Sequence, residues 1–143
     1  MPLLPRTADV PRIRTTLSLY KVSAIVTGSF LLLLCVMMVL RYGFGVDIEL
    51  GGPFGLLALQ PRELITAVNL STAILIVHGW LYVVYLLCDF ALWRLTRWSF
   101  GRFLFIALGG IVPLLSFFFE FKVPRWVNDQ VDAVTAPADK VAA

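Results

Sequence analysis

The side chains able to do acid–base or hydrogen-bonding chemistry in the apolar middle of this 143-residue chain fall on one line. Read as a helix, the run LSTAILIVHGWLYVVYLLCD places Ser71, Leu75, His78, Tyr82, Tyr85 and Asp89 at steps of three or four residues. Such steps share a helix face. His78 is the single histidine. An imidazole, two phenols, a hydroxyl and a carboxyl in a row could form a proton path or a quinone or haem contact. The preferred reading is that they tie helices together by interhelical hydrogen bonds, each worth roughly 0.5–2 kcal/mol in a membrane. Polar groups in hydrocarbon are costly and turn toward other helices or a water-filled cavity. This stripe is therefore expected to meet neighbours, with Gly79 leaving room for an approaching backbone and Asp89 ending the row at the headgroups.

Other chemistries lack their parts. Ser71 and His78 are two helical turns apart, about 10 Å by rise, which is too far for a nucleophile–base pair. With one histidine and neither C-x-x-C nor H-x-x-x-H spacing, no metal site is expected. A haem could take at most one axial ligand from His78. No cofactor is expected. Cys35 and Cys88 would differ in depth by roughly 20 Å, against a disulfide reach of about 7 Å between Cα atoms. They read as two structural thiols.

The elements that must position the stripe follow from composition. Hydrophobic residues make up 59% and charged residues 15%, and the mean hydropathy is +0.87. A soluble domain carries about 25% charged residues. The expected fold is all-α, a polytopic membrane protein with three transmembrane helices in a small bundle. Uncharged runs at 22–40, 64–88 and 103–119 fit the roughly 17–25 residues that span a bilayer. The first run is longer than a signal-peptide core of about 7–15 residues, and no A-x-A-like site follows it, so it is expected to stay.

The segments between are an N-terminal cytoplasmic arm 1–21, an outer loop 41–63, a basic inner loop 89–102 and an outer C-terminal tail 120–143. GGPFGLLAL at 51–59 is too short to cross and reads as an interfacial or re-entrant piece of the outer loop. The end of the tail, 128–143, is small and polar and is expected to be disordered alone. Helix is expected to begin after Pro11.

Basic residues set the orientation. Arg6, Arg12, Arg14 and Lys21 would share a side with Arg94, Arg97 and Arg102, seven against Arg41, Arg62, Lys122 and Arg125, with Lys140 far out in the tail. The N-terminus is then cytoplasmic and the C-terminus outside. Tyr20, Trp93 and Trp98 would mark the inner interface, Tyr42 and Trp126 the outer one. Arg94, Arg97 and Arg102 alternate with aromatic residues and suit anionic lipid headgroups. A nucleic-acid partner would need more basic residues on a soluble face. Two packing signals remain. Ala24 and Gly28 are small residues four apart, which let helices approach, while Gly109, Gly110 and Pro113 should kink the third span.

The second half of the chain resembles a family. His78 and Gly79, then Tyr85 and Leu86, the turn Arg97, Trp98, Ser99, then Pro113, Phe118 and Glu120 resemble the small actinobacterial integral-membrane proteins grouped as a domain of unknown function. The likeness covers roughly residues 15–123 in architecture and is motif-specific from about residue 76. Members often carry a proline just before the His-Gly pair, where this chain has Ile76 and Val77. The resemblance implies three helices in an actinobacterial inner membrane and no established activity. Family context makes the actinobacterial cytochrome bcc–aa3 respiratory supercomplex the first candidate assembly.

The functional expectation is a non-catalytic accessory or assembly subunit of a larger membrane complex, docking on other integral membrane proteins by its helix faces. The alternative is a small oligomeric transporter or proton-conducting module using the His78 stripe. Such transporters usually need a mid-membrane carboxylate, and all nine acidic residues lie outside the three apolar runs. Nothing in the sequence equips an enzyme.

Overall fold

The computed structural model describes residues 3–136. A 3-10 turn at Thr7–Asp9 leads into α1 (Val10–Val39), which ends in a π turn, Leu40–Phe44. Strands β1 (Val46–Gly52), β2 (Gly55–Pro61) and β3 (Val68–Asn69) follow, then α2 (Leu70–Thr96), α3 (Phe100–Ala107) and α4 (Leu115–Thr135). The fold is mostly helical with one small sheet.

Helix α1 starts at Val10 because Pro11 is tolerated in a first turn, where its missing N–H has no intrahelical acceptor. Its 30 residues rise about 45 Å, so the apolar run 22–40 continues into the N-terminal arm as one helix. The buried positions Ile13, Leu17, Tyr20, Ala24, Thr27 and Leu31 alternate steps of four and three. That is the 3.5-residue seam of a helix packed nearly parallel to its neighbour. On α2, Ser71, Ile74, His78, Tyr85, Asp89, Leu92 and Thr96 are buried with the same period. The two helices run antiparallel: Ser71 bonds to Met37, Thr27 meets Leu81, and Leu95 reaches the groove beside Pro11 and Arg12. Both are long and apolar enough to cross a membrane.

The expected third span, 103–119, is not one helix. α3 stops at Ala107, a 3-10 turn covers Leu108–Gly110, and the chain reverses through 111–114 before α4 begins. Two glycines with poor helix propensity and a proline lacking an N–H turn the expected kink into a reversal. Leu114 adopts φ 69, a left-handed conformation costly for a branched side chain. The reversal closes on its own backbone bonds, with the amides of Ile111 and Val112 reaching Leu108 O at 3.0 and 2.9 Å.

α4 then runs back along α1. Ser116 Oγ donates to Ala24 O at 2.7 Å, and Val123, Val127 and Val131 join Ile13 and Leu17 in one apolar core. Helix α4 ends beside the turn Thr7–Asp9. Residues 120–135 therefore lie at the N-terminal end of α1, not at the opposite end expected for the tail. Residues 128–135, expected to be disordered alone, are the last two turns of α4, and the rest of the tail from 137 lies outside the described residues. Trp126, expected at the outer interface, meets Trp98 edge-on at 6.2 Å, and Trp98 Nε1 donates to Gln130 Oε1 at 2.8 Å.

The loop 41–63 is a second departure. β1 pairs antiparallel with β2, matching Ile48 to Leu59 and Leu50 to Leu57. β3 adds on the other side of β1, so 51–59 forms a hairpin. α2 begins at Leu70, six residues later than the apolar run suggests, because Asn69 caps it. The Asn69 side chain accepts from Thr72 N at 2.9 Å, which satisfies one of the free amides of a helix start.

Candidate functional site

The stripe on α2 lies on the side that faces the rest of the chain, with Ser71, His78, Tyr85 and Asp89 buried and Tyr82 half-buried. Most of its hydrogen-bonding capacity is used inside the molecule. Tyr85 Oη donates to Ile106 O at 2.7 Å and lies 3.3 Å from Tyr20 Oη. Tyr82 Oη donates to Ala107 O at 3.3 Å. Ile106 and Ala107 belong to the last turn of α3, whose carbonyls lack full intrahelical partners, so the two phenols complete that helix end. Both glycines of the reversal lie against these rings. A Cβ on Gly109 would be 2.8 Å from Tyr85 Oη and 2.9 Å from the Phe119 ring, and one on Gly110 would strike the Tyr82 ring.

The stripe thus holds a half-depth hairpin, α3 and α4, onto α1 and α2. Ala24 and Gly28 receive its second arm, since a Cβ on Gly28 would lie 3.0 Å from Ser116 Cβ. Pro113 is exposed at the tip. Among the described residues no heavy atom lies within 4 Å of a Cβ added at Gly79, so it opens to the outside and receives no backbone from them. Its neighbour Trp80 is 72% exposed.

His78 faces the backbone of Thr27 on α1, and its Nδ1 is buried without a partner. Asp89, expected at the headgroups, is fully buried because α2 runs two turns further and the hairpin packs over it. Among the described residues neither carboxylate oxygen has a partner, and the indole nitrogen of Trp93, one turn on, is likewise buried and unbonded.

The Ser71 end of the stripe merges with a polar cluster that the sequence reading missed. Arg41 clasps Asp47 through two bonds of 2.8 Å, Nε to Oδ1 and Nη2 to Oδ2. Asn69 Nδ2 donates to Asp47 Oδ2 at 2.8 Å. Ser71 Oγ accepts from Ile48 N at 3.2 Å and donates to Met37 Sδ at 3.4 Å. Glu49 Oε1 accepts from the amides of Thr66 and Ala67 at 2.7 and 2.8 Å. The Arg41 guanidinium holds Asp47 below the usual carboxylate range, and the Ala67 and Thr66 amides do the same for Glu49. The alternation in VDIEL, followed by the glycine-rich GGPFG, is the pattern that could have revealed the hairpin and its inward acids.

At the opposite end Arg94 and Arg97 are exposed. The Arg102 guanidinium lies over both the Trp98 and Trp126 rings, 5.1 and 5.2 Å from their centroids. It therefore pins α3 to α4 through cation–π contacts.

Residues 17–125, which hold most of α1, the sheet, α2, α3 and the first half of α4, match the family described as Domain of unknown function (DUF3817). The chain belongs to that family. It is 35% identical over 111 residues to uncharacterized proteins of Mycobacterium tuberculosis and Mycobacterium bovis, covering 78% of this chain and 75% of each relative. An uncharacterized protein of Mycobacterium leprae is 31% identical over 112 residues, with the same coverage. No solved structure matches.

Proposed function

We propose that this DUF3817 chain is a non-catalytic accessory or assembly subunit of a larger complex in a bacterial inner membrane. The observation that carries the reading is the contrast between the two sides of α2. The inward side is occupied by the hairpin, whereas the outward side presents Ile76, Trp80, Val83 and Leu87 exposed around an open Gly79. A large aromatic beside a glycine gap is a knob and a hole, and tryptophan is enriched where partners bind strongly. The respiratory supercomplex is the first assembly to test, and anionic lipid is the expected partner of Arg94 and Arg97.

We also propose a different side for the end of α4. With α4 folded back, Lys122 and Arg125 join the N-terminal end. Nine basic residues then stand against Arg41 and Arg62, with Lys140 outside the described residues. Basic residues favour the cytoplasm, so the N-terminus and the end of α4 are both cytoplasmic.

A tagged copy purified in mild detergent should bring down a defined membrane complex, and Trp80→Ala should lose it while the protein stays folded. Purification as a homo-oligomer alone would overturn the reading. One feature favours the second reading, a small oligomeric proton-conducting module: the unpartnered His78 Nδ1 and Asp89 carboxylate occupy the same stripe. That module would acidify liposomes under an applied potential, and His78→Leu and Asp89→Asn would each abolish the flux.

A further inference from the structure

The three-stranded sheet is inside out. One face carries Asp47, Glu49, Gln60 and Asn69, and it is closed by Arg41 and by the amides of Thr66 and Ala67. The other carries Ile48, Leu50, Leu57, Leu59 and Val68, as the strand pairing requires. Leu57, Leu59 and Val68 are 61%, 57% and 55% exposed. A sheet with one face in water shows the reverse arrangement, polar outward and apolar toward the core.

We infer that this apolar face rests on the acyl-chain boundary of the outer leaflet, so that its partner is phospholipid. Depth is the first argument. The Ile48 amide bonds to Ser71, and Ser71 bonds to Met37. Met37 is one turn inside Arg41, within the apolar run 22–40, so β1 sits level with the last turn of hydrocarbon. Exposed apolar neighbours in the chain are the second. Val36 and Val39 end α1 exposed, and Tyr42 and Phe44 before β1 and Phe54 in the β1–β2 turn are exposed too, as aromatic residues are at a membrane boundary. The backbone sets the limit. β2 is a sheet edge whose outward amides and carbonyls need water or headgroups, so the sheet lies at the boundary and not in the core.

The inference rests on the membrane reading, which is checked separately in the same experiment. In a background with Cys35→Ala and Cys88→Ala, single cysteines are placed at Leu57, Leu59, Arg62 and Leu33, spin-labelled and reconstituted into phosphatidylcholine–phosphatidylglycerol vesicles. Collisions with oxygen and with a water-soluble nickel chelate are then compared. Labels at 57 and 59 should favour oxygen several-fold, as the mid-span control at 33 does, while 62 favours the chelate. If 33 favours oxygen and 57 and 59 favour the chelate, the lipid contact is wrong and the membrane reading stands. If 33 also favours the chelate, both fall. Low accessibility to both reagents with dipolar broadening between labels at 57 would show a second copy on this face and overturn the proposal.

Discussion

At the residue scale the phenol of Tyr85 is the tie between α1, α2 and the hairpin. Tyr85→Phe removes the bond to Ile106 O and leaves that carbonyl and Tyr20 Oη short of a partner. Losing a buried hydrogen bond and stranding its partner costs about 1–3 kcal/mol. Unfolding in mixed detergent micelles should register a loss of that size, and an unchanged midpoint would remove Tyr85 from this role. The stripe itself was legible, because a period of three and four residues needs only the sequence. What its members touch was not. Asp89 reads as a headgroup residue when α2 is assumed to end at Cys88, and its burial depends on a hairpin that begins 11 residues further on and ends 46 residues further on.

At the element scale the sheet depends on its buried charges. The side chains of Arg41 and Asp47 are 15% and 1% exposed. Arg41→Ala would leave Asp47 buried and unpaired, a loss of about 3–5 kcal/mol, partly recovered by adding Asp47→Asn. Denaturation of the two variants side by side tests this, and equal losses would contradict it. Acid should loosen the same element. Asp47 and Glu49 sit below the ordinary carboxylate pKa of about 4. Their contribution is therefore complete above that value and fades as pH falls through the lower folded values. Amide protection at residues 46–50 should drop on acidification from neutral pH to about pH 3, before protection in α2 does; a parallel loss in both would refute the link. The hairpin was missed because a short apolar run such as GLLAL fits a strand and an interfacial segment alike. The reversal at GGIVP was missed for a related reason. Seventeen apolar residues satisfy one crossing or two half-depth arms equally well, and only the contacts of Ser116 and Val123 distinguish them.

At the scale of the whole molecule, folding α4 back brings its end beside the turn Thr7–Asp9 that precedes α1. Reporter fusions at residue 1 and after residue 136 should give the same compartment signal, active for a cytoplasmic reporter and silent for a periplasmic one. Opposite signals would restore a third crossing. On the proposed two-crossing reading Glu120, Lys122 and Arg125 stay on the side where they were made, which avoids the large cost of moving charges through hydrocarbon.

The half-depth hairpin has one more consequence. Four helices fill the cross-section at the end that holds the start of α1, whereas only α1 and α2 fill it between the tip of the hairpin and the sheet. On the proposed membrane reading such a shape has a waist. Lipid tails must fill that waist, so the exposed tip residues Ile111, Val112 and Leu114 would rest on acyl chains and not on protein.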